Sequence, residues 1–323
     1  EAIGGTLNLV TVNPLERKQI YTTSFSSNDY ATQSAQNHSF LVSLPSESKK
    51  MGLSFGGQFS ENKAWDEDNN GVAESPRRQN QSALIKARIL PSKNNDISVR
   101  FSYSELEILG GATNASRPNK VREVPASESD FENQSVEEQY IGDPNKITDW
   151  IDLERFESSL HWMHYLGQDM TIEWNSGFAR QKQRAIYQHG FDYANNDNTF
   201  VSDLSLQWLA KKNHLIKTGL FYKGQRLRSA SDVLFEQKDI PADNFDHNSS
   251  AIYANYTYIA SEKFEADFAL RVDKINVNWL DLSNKIDDTV VAPRFQLRHN
   301  FSEHLTQRLS YGLGYRSPLT FFE

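Results

Sequence analysis

The chain contains no cysteine, which excludes a disulfide framework and metal sites built on thiolates. No run of about eighteen apolar residues occurs, so a membrane-spanning helix is excluded as well. Basic residues are in the minority, with 34 Lys and Arg against 42 Asp and Glu and a net charge of −8. That balance argues against nucleic acid as a partner, because a phosphate backbone requires basic patches. Glu1 opens neither a charged n-region nor an apolar h-region, so the chain is expected either to be cytosolic or to lack its own leader. Catalytic signatures are missing too: there is no Gly-x-Ser-x-Gly, His-Glu-x-x-His, P-loop or strand-linked Gly-x-Gly-x-x-Gly, and no enzyme activity is expected.

What the chain has instead is aromatic residues and alternation. Phe, Tyr and Trp make up 12% of a chain whose mean hydropathy is only −0.64. Such a balance suits strands with one wet face and one apolar face, including those of a transmembrane barrel. Period-two alternation recurs throughout. Met51, Leu53 and Phe55 oppose Gly52, Ser54 and Gly56, and Ile97, Val99, Phe101 and Tyr103 oppose Ser98, Arg100 and Ser102. Later, Phe264, Ala266, Phe268, Leu270 and Val272 face away from Glu265, Asp267, Arg271 and Asp273. Pro293 lies within the similar run Val291–Leu297 and is expected at a strand start or bulge.

About thirteen strands result. Short polar turns at 45–49, 91–95, 167–169, 211–213, 261–263 and 302–304 alternate with longer polar loops near 61–80, 108–150, 188–198, 229–246 and 281–288. Short turns at one end and long loops at the other are the layout of an outer-membrane barrel. A packed sandwich would not tolerate Glu265, Asp267, Arg271 and Asp273 on an inner face, whereas a wet or plugged lumen does. A soluble β-rich carbohydrate-binding or hydrolytic protein, and a passive pore or adhesin barrel, are the competing readings.

Two stretches carry a family resemblance. Ala2-Ile3-Gly4-Gly5-Thr6-Leu7-Asn8-Leu9-Val10-Thr11 resembles the end of the plug domain of TonB-dependent outer-membrane receptors. Tyr311-Gly312-Leu313-Gly314-Tyr315-Arg316-Ser317-Pro318 resembles a barrel motif of the same family, with Ser317 where Ala is usual. The resemblance implies an all-β fold: residues 1–14 ending a plug, and 15–323 forming a partial antiparallel up-and-down transmembrane β-barrel. About thirteen of the family's usual 22 strands are then present, and the chain is expected to be truncated at both ends. It implies TonB-energised uptake of a scarce large nutrient (ferric siderophore, cobalamin, haem or glycan) across the bacterial outer membrane. The implied partners are the TonB complex of the inner membrane, outer-membrane lipid and lipopolysaccharide, and an extracellular small-molecule ligand. Gly4 and Gly5 would form the hinge from plug to barrel.

Three loops hold candidate site residues. Asp66-Glu67-Asp68-Asn69-Asn70-Gly71 matches the first half of an EF-hand loop, with oxygen ligands at alternate positions and Gly at the turn. Position twelve is Arg77 rather than Glu, so the expected Ca²⁺ ligands are Asp66, Asp68, Asn70 and Glu74, without a complete EF-hand. The acidic loop 108–150 is long enough to suggest contact with ligand, or with lipopolysaccharide through divalent cations. Tyr187, His189 and Tyr193 surround a third loop tip, where aromatics could stack on a ring-shaped ligand; Trp65 and Trp150 are read as interfacial girdle.

Overall fold

A computed structural model describes residues 12–16, 18–27, 35–113, 148–187, 191–231, 244–280 and 284–315. They form one sheet of thirteen strands in sequence order, every neighbouring pair antiparallel. The strands are β1 (Gln19–Ser27), β2 (Ala35–Pro45), β3 (Met51–Asn62), β4 (Val72–Ser92), β5 (Asn95–Ala112), β6 (Thr148–Leu166) and β7 (Met170–Tyr187). After them come β8 (Phe191–Lys211), β9 (His214–Ser231), β10 (Phe245–Ser261), β11 (Phe264–Trp279), β12 (Asn284–Ser302) and β13 (Leu305–Gly312). This is the expected partial up-and-down barrel wall.

Cross-strand register shows what the alternation builds. Phe55, Ile85, Phe101 and Ser158 lie opposite one another along one row, as do Tyr256, Phe268, Phe295 and Tyr311. Phe268, Leu270, Val291, Leu309 and Tyr311 on this face are exposed, while Ser43, Ser54, Ser205 and Asp273 on the other are buried. The sheet thus presents its apolar face outward and its polar face inward. On β8 the outward apolar set runs from Phe200 to Trp208, about the nine to eleven residues that a tilted strand needs to cross hydrocarbon. Each large side chain buried there gains about 1.5–3 kcal/mol over exposure to water. Trp208 and Tyr258 mark the short-turn edge of this band, and Phe200, Tyr222 and Tyr103 mark the other.

Strands extend beyond the band on the long-connection side. β8 has 21 residues, so the expected 188–198 loop is a hairpin in which Asn195, Asn196 and Asp197 pair with Gln183, Lys182 and Gln181. The loops expected at 61–80, 108–150, 229–246 and 281–288 are likewise shortened by strand arms reaching Val72, Ala112 and Thr148, Ser231 and Phe245, and Asn284. Asn and Asp have weak β-propensity, but a paired neighbour supplies a complete ladder and overrides it.

Prolines sit where the ladder tolerates them. Pro76 and Pro91 fall at the register shifts of β4. Pro293, expected at a strand start or bulge, is instead in mid-strand opposite Leu270. Its carbonyl accepts from Leu313 N (3.1 Å), just past the end of β13 at Gly312. Its missing N–H therefore faces the point where the neighbouring strand has already ended.

Candidate functional site

The leading segment 12–16 lies against the inner face near the short-turn end. Asn13 Oδ1 accepts from Leu15 N (3.1 Å), turning the chain, and Pro14 and Leu15 are buried. Lys86 Nζ donates to Val12 O at 3.4 Å. A Cβ placed on Gly52 would lie 2.3 Å from Pro14 O, so the wall needs glycine there. Gly4 and Gly5 fall outside the described residues.

The inner wall is lined by satisfied charges, as a wet or plugged lumen requires. Arg88 donates to Asp96 (2.9 Å), and Glu157 is shared by Arg100 (2.9 Å) and Arg155 (2.6 Å). Glu173 lies 3.2 Å from His161 and 3.6 Å from Lys217. Arg271 makes two 2.8 Å hydrogen bonds to the fully buried Asp273 and stacks 4.5 Å from the Phe221 ring centroid. Sequence alternation identified Arg271 and Asp273 as sharing a face; the pairings across strands depend on register, which alternation alone does not fix.

At the long-connection end the loop between β3 and β4 closes on itself. Trp65 and Ser75 exchange backbone hydrogen bonds of 3.0 and 3.3 Å. Asn69 (φ 57°) and Gly71 (φ 84°) adopt left-handed backbone, which Asn and Gly accommodate best. This folds Asp66 back so that Oδ2 accepts from Gly71 N (2.8 Å) and Oδ1 from Asn70 N (3.1 Å). Glu74 Oε2 accepts from Glu67 N (2.9 Å). One carboxylate oxygen from each of Asp66, Asp68 and Glu74 then lies within 4.8 Å of the others. Ligands around Ca²⁺ at 2.3–2.6 Å are separated by at most about 5 Å, so three of the four expected residues fit that ion. In this arrangement Asn70 Oδ1 accepts from Val72 N (2.7 Å) and its Nδ2 donates to Asp68 (3.0 Å). Arg77 is within β4, opposite Leu109.

Tyr187 and Tyr193 stand on the two arms of the β7–β8 hairpin, opposite Phe191 and Ala185, and therefore on one face. Burial raises the pKa of the Tyr187 phenol, and the charge of Asp149 adds to this, so the hydroxyl stays protonated through the physiological range. Tyr193 Oη accepts from Asn195 Nδ2 at 3.2 Å. His189 lies outside the described residues. Trp150, expected in the girdle, is 4% exposed and donates from Nε1 to Glu107 (2.9 Å). It lies beyond the apolar band, opposite Leu109 and Ile186, and is a packing residue of the extended arms.

A comparison of the sequence with curated proteins gave no match. Among solved structures, the siderophore receptor PirA from Acinetobacter baumannii superposes with a TM-score of 0.65 at 11% identity, covering 94% of this chain and 43% of that one. The FrpB iron transporter from Neisseria meningitidis gives 0.63 at 12% identity over 91% and 45%. The ferric yersiniabactin uptake receptor FyuA from Yersinia pestis gives 0.60 at 13% over 88% and 45%. At such identities the likeness is one of fold, and the chain spans less than half the length of each. The family model described as TonB dependent receptor-like, beta-barrel, matches residues 22–323. Outward aromatics, an inward charged wall and this match lead to one statement: the chain belongs to the TonB-dependent receptor family of bacterial outer-membrane proteins.

Proposed function

We propose that this chain forms part of the wall of a TonB-energised importer whose cargo is a ferric siderophore. The observation that carries the reading is the two-faced sheet: its inward side bears paired charges such as Arg271–Asp273 and Arg100–Glu157 along the membrane-crossing strands. A wall of that kind suits a lumen occupied by a polar plug and traversed by a hydrophilic chelate. The siderophore cargo is inferred from the likeness to PirA, a siderophore receptor, and FyuA, a ferric yersiniabactin uptake receptor. The TonB complex, engaging a plug segment, would supply the energy, with Gly4 and Gly5 as the hinge between plug and barrel.

Two accessory roles belong to this reading. Asp66, Asp68 and Glu74 hold a Ca²⁺ that ties the β3–β4 connection, while Asn70 shapes the loop. Tyr187 and Tyr193, with His189, offer an aromatic contact to cargo at the mouth. The test is growth rescue in an iron-limited receptor-deletion strain carrying the full-length receptor, with siderophore, haem, cobalamin and glycan supplied separately. Rescue by ferric siderophore alone, lost when TonB is removed, is expected. Uptake that persists without TonB would contradict an energised importer.

A further inference from the structure

Residues 12–16 lead into β1, yet their contacts on the wall lie two and three strands further on. Pro14 occupies the space that a side chain on Gly52 of β3 would need, and Val12 O accepts from Lys86 Nζ of β4. Chain connection alone does not require this, because a segment entering β1 need only meet β1 and β2. The wall is shaped for the contact. Ser54, the next inward position after Gly52, lies opposite Ser43 on one side and Lys86 on the other. Ser54 donates to Ser43 at 3.0 Å, and both are buried. One residue without a side chain and two short ones that satisfy each other make a flat seat. The inward positions beside it, Lys86, Arg88 and Arg100, carry long cationic side chains.

The seated segment leaves little of its backbone polarity unmet. Pro14 has no N–H to satisfy. Leu15 N donates to Asn13 Oδ1 (3.1 Å), and Glu16 N donates to Asn13 O (3.3 Å). Pro14 and Leu15 are buried. A buried turn with its hydrogen bonds made gains little from water by lifting off the wall and forfeits its apolar contact. The fixed φ of Pro14 also lowers the entropy that the free segment would regain.

We infer that residues 12–16 are a fixed anchor on β3 and β4 during import. The part of the plug that is displaced when cargo passes ends before Val12, and movement is left to the chain ahead of it, where the proposed hinge Gly4 and Gly5 stands. Cargo then leaves along a part of the wall other than this seat. The inference rests on the importer reading above.

The test bridges the anchor in the full-length receptor. Cysteines introduced as Val12→Cys and Lys86→Cys are joined by a short bifunctional methanethiosulfonate, which takes over the reach of the lysine side chain and is released by reductant. Uptake of ferric siderophore by the bridged protein should equal uptake by the same protein after release. Uptake lost on bridging and restored by reductant overturns the anchor, because the segment would then have to leave the wall. Spin labels at Glu16→Cys and Lys50→Cys, both exposed positions, read the same contact with Lys86 intact and serve if the first variant does not assemble. Their separation should be unchanged when ferric siderophore and TonB are added, and a longer separation overturns the proposal. Failure of the released protein to take up ferric siderophore, or uptake without TonB, contradicts the importer reading and not the anchor, which the label separation then reads alone.

Discussion

Pro14 O sits where a side chain on Gly52 would have to go, 2.3 Å from the position of a Cβ. The contact joins the segment that leads into the barrel to the inner face of β3. Backbone against backbone cannot yield by rotating a side chain, so the cost of filling the space falls on the path of the leading segment.

Gly52→Val is therefore expected to push residues 12–16 off the wall and reduce the heat-modifiable, assembled fraction by several-fold. Gly314→Ala is the comparison, because a Cβ there meets nothing within 4 Å. Equal assembly of the two variants would show that the contact with Pro14 is dispensable.

The Arg271–Asp273 pair should behave as an ion pair with one buried member. Asp273 is fully buried and Arg271 is about one-third exposed. Asp273→Ala strands a guanidinium and should cost about 3 kcal/mol in urea unfolding from detergent micelles. Replacing both with apolar residues, Arg271→Met with Asp273→Leu, should recover most of that loss. A double variant as unstable as the single one would show that the pair contributes more than mutual neutralisation.

Depth along the outward face should govern tolerance of charge. Leu270→Arg lies within the apolar band and should destabilise the barrel by about 2–4 kcal/mol, whereas Thr289→Arg, beyond the band, should cost about 0–1 kcal/mol. Unfolding measured in lipid vesicles separates the two. Similar costs at both positions would place the band elsewhere.

The loop between β3 and β4 should respond to chelation. With Asp66, Asp68 and Glu74 converging, removing Ca²⁺ leaves three carboxylates repelling one another. Proteolysis between Trp65 and Ser75 should then accelerate. Ca²⁺ at about 10⁻⁴–10⁻³ M, the range of extracellular modules, should restore protection in the wild type but not in Asp66→Asn/Asp68→Asn. Protection indifferent to both chelator and mutation would leave the loop without a metal.

Much of this architecture can be read from single strands. The alternation Phe264–Val272 defines two faces without reference to any neighbour, and the spacing of Pro, Asn and Lys turns orders the connections. The extended arms were not legible. Asp192–Asn198 reads as loop because Asn and Asp seldom form strands alone, yet β7 and β9 supply ladders on both sides. That Asp66, Asp68 and Glu74 come close together was legible from ligand spacing, whereas the hydrogen bond from Val72 N to the Asn70 side-chain oxygen was not. The seat for residues 12–16 is invisible in sequence: Ser43, Ser54 and Lys86 become neighbours only through the register of β2, β3 and β4.

The absence of cysteine across this stretch allows the two-faced wall to be tested directly. Single cysteines at Phe268, Leu270, Asp267 and Arg271 would be spin-labelled in the receptor reconstituted into lipid vesicles. Labels at 268 and 270 should collide with oxygen, which partitions into lipid, and be shielded from a water-soluble nickel chelate. Those at 267 and 271 should be shielded from oxygen. Equal access to both reagents at all four positions would contradict the account of this chain as a membrane barrel wall.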